Sequence, residues 1–367
     1  MTPNYMNITC RGCSTAFPLD TFPHRCLDCG DLFGFPDGLD YSPDLLEKNL
    51  PGIWRFRKSF CLPANAPVVT LGEGNTPLVW SEVSGKNVGF KLESLNPTGS
   101  FKDRGTAVLV SWLLAAKIKN IVEDSSGNAG GSFAAYASKV GISAKVFVPA
   151  YASGPKRTQI ESYGAEVISV PGPRSNAADA VLKEIENGGV YASHAFLPQG
   201  TAGIATIAYE LYQQIGQVPG TILIPVGHGS LLMGIALGFE ALLRSGEITH
   251  LPRLVGIQAA PCAPLWKAFS VGAAAPIAVE PRQTKAEGVA ISDPFHGREV
   301  LAAVNRSKGI FLKVEEEEIV SGQKKLAQQG IYVEPTSALV WNGLEQIGAK
   351  MPEPIIGIMT GHGLKSN

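Results

Sequence analysis

From about Lys91 onward, short apolar β-branched runs alternate with longer stretches of helical periodicity, and this alternation constrains the fold more than any other feature. The runs are Lys145-Val-Phe-Val-Pro, Glu166-Val-Ile-Ser-Val, Thr221-Ile-Leu-Ile-Pro-Val, Arg253-Leu-Val-Gly-Ile-Gln and Pro354-Ile-Ile-Gly-Ile-Met. Strands of this kind are apolar on both faces, which a sheet tolerates only when crossover helices cover both of its sides. The fold class is therefore α/β, with doubly wound parallel sheets. Ligands of such sheets bind beyond the carboxyl ends of strands, so chemistry belongs in the loops that follow strands. A chain of 367 residues exceeds one ordinary core of roughly 100 to 200 residues and favours two domains.

Charge narrows the choice of partner. There are 31 Lys+Arg against 32 Asp+Glu, so the chain lacks the clustered positive excess that phosphate polymers and anionic membranes require. A small-molecule ligand is expected, with no nucleic acid and no membrane. The start, Met1-Thr-Pro-Asn-Tyr-Met-Asn-Ile, has no basic segment followed by an apolar one, and the apolar stretches near Val108 to Ala116 and Leu231 to Leu243 are broken by Ser, Gly or Glu. Neither a signal peptide nor a membrane span is read, and a cytoplasmic protein is expected.

Of six cysteines, four fall as Cys10-x2-Cys13 and, twelve residues later, Cys26-x2-Cys29. Two tight Cys-x2-Cys turns let four thiolates converge tetrahedrally, and thiolates suit zinc. The spacing predicts a small ribbon with a closed, structural zinc site. His24 lies between the pairs and is expected at the surface, since four cysteines already complete the shell. Cys61 and Cys262 stand alone and read as buried small hydrophobes. After the ribbon, Phe35-Pro-Asp-Gly, Leu50-Pro-Gly and Leu62-Pro-Ala-Asn-Ala-Pro mark a wrapped connector. The expected division is 1–35 ribbon, 36–106 connector and start of a large domain, 107–200 smaller α/β domain, and 201–367 large domain.

Four loops are unusually rich in Gly, Ser, Thr and Asn. Leu92-Glu-Ser-Leu-Asn-Pro-Thr-Gly-Ser-Phe-Lys-Asp-Arg-Gly reads as strand, turn and helix start, with Lys102 in the first helical turn. A helix N-terminus disfavours a cation, which makes a neutral, nucleophilic amine more accessible there. Glu123-Asp-Ser-Ser-Gly-Asn-Ala-Gly-Gly-Ser offers small residues and the donor-acceptor amide of Asn128. Pro225-Val-Gly-His-Gly-Ser-Leu-Leu-Met-Gly joins strand to helix through glycines, an arrangement that presents backbone N–H groups to a phosphate. Ile358-Met-Thr-Gly-His-Gly-Leu-Lys closes the last strand with Thr360. The acidic run Glu315-Glu-Glu-Glu-Ile is read as a solvated helix start, because acidic residues in a first turn complement the helix dipole.

In this order and combination the loops resemble the fold type II pyridoxal-phosphate enzymes, the tryptophan synthase β-like superfamily, and within it the threonine synthase family. The motifs are Asn96-Pro-Thr-Gly-Ser-Phe-Lys-Asp-Arg-Gly, Ser125-Ser-Gly-Asn-Ala-Gly, Gly227-His-Gly-Ser-Leu and Thr360-Gly-His-Gly-Leu-Lys. Gly72-Glu-Gly-Asn-Thr-Pro-Leu, Lys156-Arg-Thr-Gln-Ile-Glu-Ser-Tyr-Gly-Ala-Glu-Val and Val333-Glu-Pro-Thr-Ser-Ala add further matches, and the resemblance spans nearly the whole chain. It implies the two-domain fold of that superfamily with pyridoxal 5'-phosphate linked to Lys102. It also implies Phe101 against the cofactor ring, Asn128 on the phenolic oxygen, and Gly227, His228, Gly229, Ser230 and Leu231 around the phosphate. Thr360 would meet the pyridine nitrogen as a hydroxyl, which makes the ring a weaker electron sink than a carboxylate would and favours elimination and replacement. A homodimer is implied as well.

The implied reaction is a lyase step, O-phosphohomoserine and water giving threonine and phosphate. A substrate phosphate then needs its own anion site, and Thr98, Ser100, Ser125, Ser126, Lys156 and Arg157, with Arg174 and Asn176, are the candidates. One departure stands out: threonine synthases usually place Thr after the loop asparagine, where this chain has Ala129. Ser-Ser-Gly-Asn-Ala-Gly and Ala286-Glu-Gly-Val-Ala-Ile-Ser-Asp-Pro are similar to serine/threonine dehydratases, which eliminate a β-hydroxyl to give a 2-oxo acid and ammonia. Replacement by another nucleophile, as in a cysteate synthase-like reaction, and a ligand-binding module without catalysis stay open as well. His228 and His362 are read as space-filling beside the cofactor, and Glu287 as either a pocket carboxylate or a surface residue. Trp54, Trp112, Trp266 and Trp341 are read as core.

Overall fold

The computed structural model describes residues 8–347 and 351–366. The chain divides into two compact units. The first takes in the described residues up to Glu73 together with Lys102–Gly203, and the second comprises Gly74–Phe101 and Ile204–Ser366. The segment before Glu73 thus groups with Lys102–Gly203. Among the described residues, no helix is long and apolar enough to cross a membrane.

In the first unit a parallel sheet runs in the order Glu166–Val170, Ser143–Pro149, Asn120–Glu123, Val190–Tyr191. The helix Lys102–Ala115 is buried almost all round, from Asp103 through Leu113, and Asp103 supplies an acidic group in its first turn. Close approach is built in at Gly203, where a Cβ would lie 2.0 Å from the Arg104 carbonyl oxygen. Glu73, from the Gly72 motif, is a buried polar hub. It accepts from Trp54 Nε1 (2.8 Å), Tyr136 Oη (2.6 Å) and the Leu71 N–H (2.9 Å). The strands Thr9–Cys10 and Phe33–Gly34 pair antiparallel as the ribbon. Its Phe17, Phe22 and Phe33 rings pack edge to face, and Phe22 reaches the Trp112 ring at 6.5 Å.

In the second unit the sheet order is Ile310–Val314, Arg253–Ala259, Thr221–Pro225, Ile355–Ile358, Lys86–Lys91, Leu78–Val83. All neighbours are parallel except the last pair. That pair is a hairpin whose two-residue turn, Ser84 (φ 53°) and Gly85 (φ 76°), has the positive dihedrals of a type I′ connection. Strand side chains such as Phe90, Leu223, Val255, Ile257 and Ile355 are fully buried in one apolar cluster with Leu339 and Val340 from the helix Pro335–Ile347. Each such burial is worth roughly 1.5–3 kcal/mol relative to exposure. The acidic run does start a helix: Glu315 caps Glu316–Gln328 in a capping box with Glu318.

Candidate active site

In the first unit Lys102 opens the helix Lys102–Ala115 and is half-buried. Its Nζ is hydrogen-bonded to His194 Nε2. Behind the ring, Nδ1 of His194 lies 4.0 Å from Glu123 Oε1. Glu123 is the last residue of the strand Asn120–Glu123, at its carboxyl end, and only 2% exposed. Its other oxygen, Oε2, has no hydrogen-bond partner. Burial pushes this carboxyl well above the usual carboxylate range, with Asp124 acting in the same direction and the Lys102 and Arg174 charges opposing it.

Asn128 opens the next helix, Asn128–Lys139, immediately after the loop that begins beyond Glu123. Ser125 Oγ accepts the Gly127 N–H at 3.3 Å and so shapes that loop. Gly130 is obligatory, because a Cβ there would lie 1.9 Å from the Ser125 carbonyl oxygen. Ala129 is buried and Ser126 half-buried. Arg157 spends its guanidinium on Glu161 Oε1 (2.9 Å), the Ala152 carbonyl (3.2 Å) and Ser169 Oγ (3.0 Å). Lys156 is half-buried beside it, whereas Arg174 and Asn176 are exposed.

The second unit holds the phosphate-loop candidate. Gly229, at φ 104°, caps the helix Ser230–Arg244 without any side-chain hydrogen bond, leaving the first-turn N–H groups for backbone-scale recognition. A Cβ at Gly227 would lie 2.7 Å from the Gly288 carbonyl oxygen, and one at Gly229 would lie 2.5 Å from Val300 Cγ2. Ser230 and Leu231 are buried, and the His228 ring stacks on Phe295 with centroids 4.5 Å apart. Such a bare, glycine-built helix start matches what an anion needs.

Thr360 is buried and donates to Glu334 Oε1 at 3.2 Å, with Ser337 Oγ 2.9 Å away. Phe101, also buried, donates its N–H to the Thr360 carbonyl at 3.1 Å, so the residue before the lysine is tied to the last loop. Thr98 is buried and its carbonyl takes Lys365 Nζ at 2.7 Å; Ser100 is fully buried and its Oγ has no hydrogen-bond partner. Glu287 is exposed, and His362 Nδ1 accepts the Leu364 N–H at 3.1 Å as a local cap.

The four ribbon cysteines offer sulfurs that all lie within 4.8 Å of one another, and each is a free thiol. That donor set fits a tetrahedral thiolate site. His24 is not the surface residue the spacing suggested. It is half-buried between the rings of Tyr191 (5.7 Å) and Phe196 (5.5 Å), and burial lowers its proton affinity. Cys262 is buried as expected; Cys61 is only half-buried, with burial pushing its thiol up to about 11. Trp54 and Trp112 are core residues.

Sequence reasoning missed His194 and gave Glu123, Glu334 and Ser337 no role. Glu334 lay inside a matched motif, Val333-Glu-Pro-Thr-Ser-Ala, and that was a usable signal. His194 carried none, being a single histidine in Ala192-Ser-His-Ala-Phe.

Comparison with known proteins adds three findings. The model of the family described as "Pyridoxal-phosphate dependent enzyme" matches residues 69–361. A threonine synthase of Methanocaldococcus jannaschii is 34% identical, over 97% of this chain and 92% of its own, and one of Methanosarcina acetivorans is 32% identical, over 98% and 92%. Maize serine racemase shares the fold at a TM-score of 0.69 and 22% identity, covering 78% of this chain and 88% of that one.

Proposed function

The chain belongs to the pyridoxal-phosphate dependent enzymes, within the threonine synthase family, and from that premise we propose that it converts O-phosphohomoserine and water into threonine and phosphate. The observation that carries this reading is a lysine at a helix start, joined in one chain to an uncapped glycine loop at another helix start. These residues fit the cofactor: an amine for its aldehyde, bare backbone N–H groups for its phosphate, and a buried neutral hydroxyl for its ring nitrogen. When bound, pyridoxal phosphate supplies an electron-withdrawing ring that makes the substrate's Cα–H acidic.

The protein's own groups do the rest. Lys102 Nζ carries the cofactor and then moves the proton at the substrate Cα, a general-base role that calls for its neutral form. The amides of Gly227 to Leu231 would hold the cofactor phosphate, with no side-chain charge to reorganise. Thr360, a hydroxyl held by Glu334 and Ser337, would meet the ring nitrogen and give it a neutral neighbour. In the first unit Asn128 would hold the phenolic oxygen of the cofactor, with Ser125, Ser126 and Lys156 offered to the substrate; in the second, Phe101 would meet the ring, with Thr98 and Ser100 offered to the substrate. Arg157, already bound to Glu161 and Ser169, would join them only by giving up those bonds.

The four cysteines would hold structural zinc, and a homodimer is part of the same proposal. Ala129 favours a second reading, a dehydratase that loses a β-hydroxyl. Incubation with O-phosphohomoserine, serine and threonine separates the two. Threonine with stoichiometric phosphate is the expected outcome, while 2-oxo acid from serine or threonine, with O-phosphohomoserine untouched, would reverse the assignment.

A further inference from the structure

We propose that His194 is a positioning residue that draws a proton off the Lys102 amine, with the Glu123 carboxyl behind the ring as that proton's final holder. The role rests on Lys102 being the cofactor lysine, but the groups that carry it all belong to the first unit and are in place without the cofactor. Lys102 Nζ and His194 Nε2 are hydrogen-bonded, and His194 Nδ1 lies 4.0 Å from Glu123 Oε1, so the second transfer requires ring and carboxyl to approach by about 1 Å.

Two cations in such contact repel, so lysine and histidine share one charge rather than holding one each. Glu123 is 2% exposed and its Oε2 lacks any hydrogen bond, an expensive state for a carboxylate but a tolerable one for a neutral carboxyl. The step balances. A Lys102 Nζ–H bond breaks as His194 Nε2–H forms, and His194 Nδ1–H breaks as a Glu123 O–H forms, leaving lysine, histidine and carboxyl all neutral.

The other titratable groups facing Glu123 are Asp124, Arg174 and Tyr191. Asp124 favours the neutral carboxyl, Arg174 opposes it, and burial keeps the Tyr191 hydroxyl protonated. His24 and Arg25 pack farther out, on the Tyr191 and Phe196 rings. A proton handed along this chain costs the amine nothing in solvent exchange. The neutral amine is therefore supplied at a level that depends little on external pH.

The test is competitive acetylation of the full chain freed of cofactor, read peptide by peptide with mass spectrometry across about pH 7 to 9, where a free lysine gains about tenfold in reactivity per pH unit. Exposed Lys324 is the internal standard for that slope. Lys102 in the unaltered protein is expected to give a nearly flat profile. His194→Gln and Glu123→Gln are each expected to restore a slope of about tenfold per unit, as for an isolated amine. If the Lys102 profile parallels Lys324 in the unaltered protein, or stays flat in both variants, the relay is wrong. Glu123→Gln, which keeps the side-chain shape, decides the matter should His194→Gln fail to fold. Borohydride trapping of the cofactor in the unaltered protein is read separately. An adduct on another lysine would refute Lys102 as the carrier while the acetylation profiles still judge the relay.

Discussion

Two lysines, one in each unit and only one of them fully buried, differ in the partners around them, and under the proposed function that difference divides structural from chemical duty. Lys91 in the second unit is fully buried with its three donors spent on the Thr76 carbonyl (2.8 Å), Glu210 Oε2 (2.8 Å) and Gln214 Oε1 (2.9 Å). Both oxygens of Glu210 are engaged, its Oε1 accepting the Asn75 N–H at 2.8 Å. Lys102 in the first unit is half-buried against a histidine, and the carboxyl behind that ring has an oxygen with no hydrogen bond. A buried charge with complete partners is held in its charged form, whereas a buried carboxyl with an unsatisfied oxygen favours taking up a proton. Residue type is shared; what differs is whether the acceptors are complete.

The largest effect separates the two lysines outright. Lys102→Ala is expected to remove the borohydride-reducible cofactor adduct and to lower turnover by about 10⁴-fold or more, the loss of a nucleophile and base together. Lys91→Met should instead cost about 3–5 kcal/mol of stability, because it strands a buried carboxylate, while the adduct still forms at low temperature. Denaturant melts beside adduct stoichiometry check both, and a folded Lys91→Met protein without adduct would break the distinction.

The second unit's contribution is sharpened at Gly229, where a φ of 104° and the Val300 methyl, 2.5 Å from where a Cβ would sit, leave no room for a side chain. Gly229→Ala should lose about tenfold or more in cofactor affinity, one mispositioned phosphate contact being worth at least about 1.4 kcal/mol, and should cost some stability from strain. Titration of the bound cofactor's visible absorbance measures it. Affinity equal to that of the unaltered protein would remove the loop from the phosphate's partners.

A smaller effect concerns the ribbon. Chelation is expected to release one metal per chain and lower Tm, with turnover at permissive temperature falling by less than about tenfold, since a structural site adds folding energy rather than chemistry. His24 and Arg25 nevertheless pack on Tyr191 and Phe196, which flank His194, so the loss should not be zero. Abolished turnover in a folded, cofactor-loaded protein would contradict a structural role.

The smallest effect is a matter of pH. Burial raises the Glu123 carboxyl above its unfolded value, so the folded state binds the extra proton and stability falls as pH rises between the two values. Glu123→Gln removes that burden. The variant should gain a few degrees in Tm at alkaline pH, and the gain should vanish as pH falls to about 4, where the unfolded carboxyl is protonated too. A Tm difference independent of pH would place the Glu123 charge elsewhere.

The doubly buried strands were legible because their runs are apolar throughout, and Ser143–Pro149, Glu166–Val170, Thr221–Pro225, Arg253–Ala259 and Ile355–Ile358 all stand where the pattern placed them. The hairpin Leu78–Val83 and Lys86–Lys91 was not, since its first strand, at the sheet edge, is largely exposed and mixes polar with apolar residues; only the Ser84-Gly85 turn signalled it. In the site, glycine loops and the lysine motif are contiguous in sequence and could be read. The histidine and carboxyl beside Lys102 could not, because Lys102 and His194 stand 92 positions apart and are brought together only by the fold. Glu123 looked like the first residue of a polar loop, yet it ends a buried strand, where a carboxylate is costly.

The most direct test is to reduce the cofactor-loaded protein with borohydride, digest it and weigh every lysine peptide. A pyridoxyl phosphate mass on Lys102 alone, one per chain, is the predicted result. The same mass on a different lysine, or cofactor bound with no reducible link, would contradict it.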